Sequence, residues 1–174
     1  SMKKVLIVED EILARLGLRQ LVDWKKLDLE LLPDATDGEE ALEMIRNSRP
    51  DIILLDLNIP RVSGLEILEF LKKEEIKTRV IVVSCQEEFD VVKKAMKLGA
   101  YDYLRKLNLS SDELESILEK CLGETEERNT MHFRGIREIR YEEIIRDNRD
   151  IFAGTSNYQS LICILAEDPD GLSK

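Results

Sequence analysis

The sequence predicts an α/β fold in which a parallel β-sheet is covered by helices on both faces. Across residues 2–122, short continuous apolar runs are separated by longer amphipathic segments. Strands that are apolar on both sides are typical of parallel sheets buried between two layers of helices. Turn signals such as Asp37-Gly38 and Ser63-Gly64 stand where new helices are expected to begin. Five such β–α units predict a small doubly wound domain.

The predicted strands lie at residues 5–8, 29–32, 52–55, 80–83 and 101–104, and the run at 29–32 is weaker than the others. The five predicted helices each carry apolar side chains at the spacing of one helical face. These side chains are Leu13, Leu16, Leu21 and Val22; Ala41, Leu42 and Ile45; Leu65, Leu68 and Leu71; Val91, Val92, Ala95, Met96 and Leu98; and Leu114, Ile117, Leu118 and Cys121. Gly99 is expected to end the fourth helix.

Composition excludes several classes of function. The chain has 36 acidic and 26 basic residues, and its formal net charge is −10. This balance argues against binding nucleic acid unaided, because such domains usually carry a basic face. We expect no membrane span, since no run of about 18 apolar residues occurs, and no secretory signal. Cys85, Cys121 and Cys163 are too widely spaced for a zinc site or a disulfide framework, so we expect a reducing cytoplasm.

Residues 123–174 differ in character from the first domain, which we place at 2–122. The segment 124–150 is rich in mixed charge, with an isoleucine stripe that predicts a linker helix, and 161–166 resembles one strand. One strand cannot form a core. We therefore expect a charged linker helix followed by the start of a further, truncated domain. His132 lies in this linker, and we assign it no role.

Acidic side chains follow two of the predicted strands. Glu9 and Asp10 come after the first strand, and Asp56 comes after the third. In a doubly wound sheet, ligands bind beyond the carboxyl ends of the strands. If the first and third strands are neighbours, the three carboxylates converge and repel one another, and Mg²⁺ would relieve that repulsion.

A hydroxyl and an ammonium group complete the predicted pocket. Ser84 ends the fourth strand and Lys106 follows the fifth. Together with the acids, they suit phosphoryl transfer, in which a metal and cations offset charge on the oxygens. Asp56 follows the central apolar strand and is the favoured nucleophile. Each residue alone also fits a solvated loop position, and acids at a helix start stabilise it by about 0.3–1 kcal/mol.

These segments resemble the receiver domain of bacterial two-component response regulators, over residues 2–122. The matching stretches are VLIVEDE at 5–11, PDIILLDLNIP at 50–60, GLE at 64–66, VIVVS at 80–84 and LGAYDYLRK at 98–106. The resemblance implies a flavodoxin-like (βα)5 fold with strand order 2-1-3-4-5. It also implies a regulatory domain, not an enzyme, that switches the activity of an output domain.

The resemblance assigns roles to individual residues. It implies that Asp56 accepts a phosphoryl group from a sensor histidine kinase. It also implies that Glu9, Asp10, Asp56 and the backbone carbonyl of Asn58 would hold Mg²⁺. Ser84 and Lys106 contact the phosphoryl oxygens, and Ser84 with Tyr103 forms the switch pair. We expect phosphorylation to promote homodimerisation or release of the output domain, through the face made by the fourth helix, fifth strand and fifth helix.

A subfamily is also indicated. Leu21-Val22-Asp23-Trp24 and Glu88-Phe89-Asp90 resemble regulators with an AraC-type DNA-binding output, which would lie outside this chain. Trp24 fits equally well as an aromatic residue at the edge of the core. Two positions depart from the family pattern: Leu107 stands where proline is usual, and Cys85 where glycine or alanine is common. Leu107 could make the position of Lys106 less fixed, and Cys85 could alter how long a phosphoryl group stays on Asp56.

Three alternatives remain open. A receiver-like scaffold that is never phosphorylated would keep the fold without the chemistry. A haloacid-dehalogenase-like phosphatase needs a second acid two residues after the nucleophile, where this chain has Asn58. A flavodoxin-type binding module needs a phosphate loop rich in Ser, Thr or Gly after the first strand, and Glu9-Asp10-Glu11 would repel phosphate there.

Overall fold

The computed structural model describes residues 2–123, so the predicted linker helix, the strand at 161–166 and His132 lie outside the described residues. Strands and helices alternate along the whole of this part. In chain order they are β1 (Lys3–Val8), α1 (Ile12–Leu21), β2 (Leu29–Leu31), α2 (Gly38–Ser48), β3 (Ile52–Leu55), α3 (Gly64–Lys73), β4 (Arg79–Ser84), α4 (Phe89–Lys97), β5 (Asp102–Arg105) and α5 (Ser111–Gly123).

The strands form a single parallel sheet in the order β2-β1-β3-β4-β5. This confirms the predicted flavodoxin-like class and strand order. In the register, Val8 of β1 lies opposite Leu55 of β3, and Ser84 of β4 lies opposite Arg105 of β5. The strands therefore end at the same edge of the sheet, and residues that follow neighbouring strands are brought side by side.

Burial of the central strands explains their continuous apolar sequences. Every residue of β3 is buried, as are the last four residues of β1 and the last five of β4. Helices pack on both faces, so a polar side chain within these strands would lose its hydration without a partner.

Polar caps start two of the helices at the predicted turns. The Asp37 carboxylate accepts from the Glu40 N–H at 2.9 Å. Ser63 and Glu66 form a reciprocal capping box, in which each side chain accepts from the other residue's backbone N–H. Such caps satisfy amide groups that have no partner within the helix.

The apolar face predicted for α1 is partly wrong. Leu13 and Leu16 are 84% and 48% exposed, whereas Leu18 is 7% exposed and packs in the core. The helix carries leucines on two faces, and three- and four-residue spacing fits both of them. Only the position of the sheet decides which face is buried. α1 thus leaves an apolar surface of Ile12, Leu13 and Leu16 directed to solvent.

Two smaller outcomes concern the fifth strand and the tryptophan. β5 runs one residue later than predicted, because backbone pairing continues to Arg105 opposite Ser84 after the apolar run has ended. Trp24 is buried, and its indole N–H donates to the carbonyl of Arg19 at 3.1 Å. That position matches the interpretation of Trp24 as an aromatic residue at the core edge. Within residues 2–123, each helix is too short or too polar to cross a lipid bilayer.

Candidate functional site

Three carboxylates meet where β1 and β3 end. The Asp56 N–H donates to the carbonyl of Val8 at 3.0 Å, which sets Asp56 beside Glu9. One carboxylate oxygen each from Glu9, Asp10 and Asp56 lies within 4.8 Å of the others. Glu9 and Asp56 are buried and Asp10 is exposed. The structure therefore gathers these acids into one cluster that opens to solvent on the Asp10 side.

Lys106 crosses from the end of β5 to this cluster. Its Nζ lies 2.6 Å from Glu9 Oε2 and 2.9 Å from Asp56 Oδ2. Burial lowers the pKa of Lys106, but hydrogen bonds and attraction from Glu9 and Asp56 outweigh that effect, so the pKa lies above its usual range. The ammonium therefore stays charged at neutral pH and bridges two buried carboxylates from two different strands.

Backbone groups orient the two buried acids. The Glu11 N–H donates to Glu9 Oε1 at 3.0 Å, and the Asn58 N–H donates to Asp56 Oδ1 at 3.1 Å. Burial raises the pKa of Glu9 above its ordinary value, although the bonds from Lys106 and Glu11 act in the opposite direction. Asn58 contacts Asp56 through its N–H, and a metal-binding role for the Asn58 carbonyl stays a prediction.

Ser84 and Tyr103 meet at the loop between β4 and α4. The fully buried Ser84 accepts from the Gln86 N–H at 3.1 Å through its Oγ. The Tyr103 hydroxyl donates to the Gln86 carbonyl at 2.6 Å, and its ring is 5% exposed. Burial raises the pKa of Tyr103 to about 12, and a hydrogen bond with Ser84 partly offsets this. Both residues thus hold the same loop residue, and Tyr103 has its ring turned inward.

Lys106 reaches the carboxylate cluster although Leu107 and Cys85 depart from the family pattern. The Lys106 N–H donates to the Ser84 carbonyl at 3.0 Å, so backbone pairing of β4 and β5 places it. The peptide bond before Leu107 is trans, and the Leu107 side chain is 68% exposed. Cys85 is also exposed.

Sequence reasoning missed Arg15 and Gln86. Arg15 Nη1 donates to the carbonyls of Glu9 and Asp10 at 3.0 Å each. Helical spacing places Arg15 one turn after Glu11, but it does not indicate which backbone carbonyls the guanidinium binds. Gln86 donates its backbone N–H to Ser84 and accepts from Tyr103 at its carbonyl. Any residue type has these backbone groups, so the sequence gives no sign of this role.

The cluster suits a hard divalent cation. Its groups are carboxylate oxygens, which Mg²⁺ prefers, and water can complete the shell on the exposed Asp10 side. Three carboxylates and one ammonium also give the cluster a formal charge of −2. A cation together with phosphoryl oxygens is therefore better matched to this site than an anion alone.

The comparisons agree with this geometry. The family model of the response regulator receiver domain matches residues 5–119. The REC domain of AraT, a response regulator from Geobacillus stearothermophilus, is similar with a TM-score of 0.64 and 31% identity, covering 70% of this chain and 93% of that chain.

Two curated relatives extend the similarity. The uncharacterized transcriptional regulatory protein YesN of Bacillus subtilis is 29% identical over 166 residues, covering 95% of this chain and 44% of YesN. A protein-glutamate methylesterase/protein-glutamine glutaminase of Pyrococcus horikoshii is 29% identical over 184 residues, covering 97% of this chain and 50% of that protein.

The chain spans about half the length of the curated relatives it matches. Their names include a transcriptional regulator and an enzyme, so the similarity does not specify one kind of output. The receiver-domain model covers residues 5–119, which include all five strands and the acidic cluster of this chain. The chain belongs to the response regulator receiver domain family.

Proposed function

We propose that this domain is a phosphorylation-controlled switch in which Asp56 accepts a phosphoryl group from a sensor histidine kinase. The observation that carries the proposal is the bridge from Lys106 to Glu9 and Asp56 within a cluster of three carboxylates. A half-buried ammonium beside a buried carboxylate can stabilise negative charge where it develops during phosphoryl transfer.

In this mechanism an Asp56 carboxylate oxygen attacks the phosphorus of a phosphohistidine. The phosphorus–nitrogen bond breaks as the phosphorus–oxygen bond forms, and its electron pair stays on the imidazole, which takes up a proton. Lys106 holds the carboxylate beforehand and donates to the phosphoryl oxygens afterwards. Mg²⁺ held by Glu9, Asp10, Asp56 and the Asn58 carbonyl would offset the charge that the phosphoryl group adds.

The switch connects the site to the β4–α4 loop. Ser84 now accepts from Gln86, and reorienting its hydroxyl towards a phosphoryl oxygen would change that contact. Tyr103 holds the Gln86 carbonyl, so a movement of this loop is coupled to the ring. We infer that phosphorylation shifts the populations of two arrangements of this loop and of the neighbouring α4, β5 and α5 surface. The altered surface then supports homodimerisation or acts on the output domain.

The phosphoryl acceptor can be tested by intact mass. With acetyl phosphate and Mg²⁺, the wild-type chain is expected to gain the mass of one phosphoryl group, because Asp56 is a buried carboxylate beside a cation. Asp56→Asn should gain none, and chelation of Mg²⁺ should suppress the adduct in the wild type. An equal adduct on Asp56→Asn would overturn the assignment, and an unmodified wild type would favour the scaffold alternative.

The apolar surface of α1, made of Ile12, Leu13 and Leu16, is proposed as the place where the kinase docks. It starts two residues after Asp10, and its side chains are 64%, 84% and 48% exposed. Apolar side chains exposed together mark interaction surfaces. A partner helix packed there would deliver its phosphohistidine next to Asp56, which is why we place the donor on this side of the domain.

The test uses a histidine kinase that phosphorylates the wild-type chain. Leu13→Arg is expected to slow phosphotransfer from this kinase by about tenfold or more, since a central apolar contact is lost. Labelling by acetyl phosphate should be unchanged, because that donor needs no docking surface. Gln20→Arg, which adds the same charge at another exposed position of α1, serves as the matched control. Equal slowing with both donors, or by both variants, would contradict the assignment.

We further propose that the output is transcriptional regulation through a DNA-binding domain of the AraC type, in a cytoplasmic protein. The similarity to YesN supports a transcriptional output. The formal net charge of −10 is consistent with leaving DNA contacts to another domain.

A further inference from the structure

The turn between β1 and α1 carries two of the three clustered acids, and a side chain from within α1 holds its backbone. Arg15 Nη1 donates to the carbonyl oxygens of both Glu9 and Asp10 at 3.0 Å. These carbonyls precede α1, in which the Arg15 N–H donates to the carbonyl of Glu11, the residue just before the helix. One guanidinium nitrogen therefore holds the backbone carbonyls of the two residues whose carboxylates enter the cluster, Glu9 and Asp10.

We propose that Arg15 is a positioning residue for the metal ligands, an inference that rests on the proposed Mg²⁺-dependent function. It contacts the backbone of the turn and leaves the carboxylate oxygens of Glu9 and Asp10 available to a cation. Lys106 does the opposite, because it binds the carboxylate oxygens of Glu9 and Asp56 directly.

The direction of the effect follows from this geometry. Asp10 is exposed, so surrounding side chains restrain it less than they restrain the buried Glu9 and Asp56. Holding the Asp10 carbonyl limits rotation of the adjoining peptide groups and therefore the positions that the carboxylate can reach. Partners that orient metal ligands in this way typically account for 10–100-fold in metal affinity.

The test compares Arg15→Gln and Arg15→Lys with Arg19→Gln. Arg19 lies one turn further along α1 and likewise binds a backbone carbonyl, that of Leu32, and an acid, Asp34. Arg19→Gln therefore removes the same charge and a similar pair of hydrogen bonds, but at a place outside the turn between β1 and α1. Mg²⁺ affinity of the whole chain is measured by titration calorimetry, and amide hydrogen exchange is followed at Glu11, whose N–H binds Glu9.

Arg15→Gln is expected to weaken Mg²⁺ binding about tenfold and to speed hydrogen exchange at the Glu11 amide. Arg15→Lys should retain part of the Mg²⁺ affinity, because an ammonium can still donate to a carbonyl. Arg19→Gln should change the unfolding midpoint without changing Mg²⁺ affinity. Wild-type Mg²⁺ affinity in Arg15→Gln, or equal weakening in Arg19→Gln, would overturn the inference. A wild type that binds Mg²⁺ but is never phosphorylated would refute the proposed function and leave the Arg15 result standing.

Discussion

Replacing Lys106 with methionine is expected to slow phosphorylation of Asp56 by acetyl phosphate by about 100-fold or more. Methionine keeps most of the side-chain length but removes the ammonium that lies 2.9 Å from Asp56 Oδ2. Loss of one preorganised donor to a developing oxyanion typically costs about 10²–10³ in rate. The measurement is the rate of adduct formation by intact mass at fixed donor and Mg²⁺ concentrations.

Mg²⁺ binding distinguishes loss of chemistry from loss of the site. Lys106 neutralises part of the carboxylate cluster, so removing it should leave Mg²⁺ affinity equal to or higher than in the wild type. Lys120→Met, at an exposed position of α5, controls for the loss of one lysine charge. A Lys106→Met chain that is phosphorylated within threefold of the wild-type rate would remove Lys106 from the proposed mechanism.

Gly64→Ala is expected to lower the free energy of unfolding by about 1–3 kcal/mol, the usual cost of overpacking. A Cβ at this position would lie 2.6 Å from Leu57 Cα and 2.7 Å from the Asp56 carbonyl oxygen. Both are backbone atoms, so no side-chain rotation relieves the clash. The added methyl group would push the start of α3 away from Leu57 in the β3–α3 loop. That movement would weaken the hydrogen bond that the Gly64 N–H donates to the Leu57 carbonyl.

Gly17→Ala supplies a control of opposite sign. Gly17 lies within α1, and a Cβ there would meet no atom within 4 Å. Alanine at an exposed helix position is expected to raise the free energy of unfolding by about 0.5–1 kcal/mol, because it loses less conformational freedom than glycine. Urea unfolding followed by fluorescence of the buried Trp24 measures both variants. A Gly64→Ala chain as stable as the wild type would show that α3 packs differently on β3.

Periodicity predicted which elements form, and its failure at α1 shows where such reasoning stops. A short continuous apolar run between turn signals is typical of a strand in a sheet covered on both sides, and the run predicted at 52–55 is β3. A helix with leucines on two faces has two possible orientations of similar local energy. Leu18 packs in the core and Leu13 does not because of where the sheet lies, and no local pattern contains that information.

The candidate site divides in the same way. That acids, a hydroxyl and a lysine follow successive strands is visible along the chain, because strand ends can be located from apolar runs. The bridge from Lys106 to Glu9 and Asp56 depends on residues 97 and 50 positions apart meeting across the sheet, which requires strand order and register. Strand order itself was implied by family resemblance and not by periodicity.

By itself, the sequence determined the α/β class, the strand-forming runs, the caps of α2 and α3, and the residue types available at the strand ends. These properties depend on local burial and on neighbours a few residues away. Only the tertiary structure decided the exposed face of α1, the hold of Arg15 on the Glu9 and Asp10 carbonyls, and the contact of Tyr103 with Gln86. Those features depend on the distances between elements after packing, and backbone acceptors have no sequence signature.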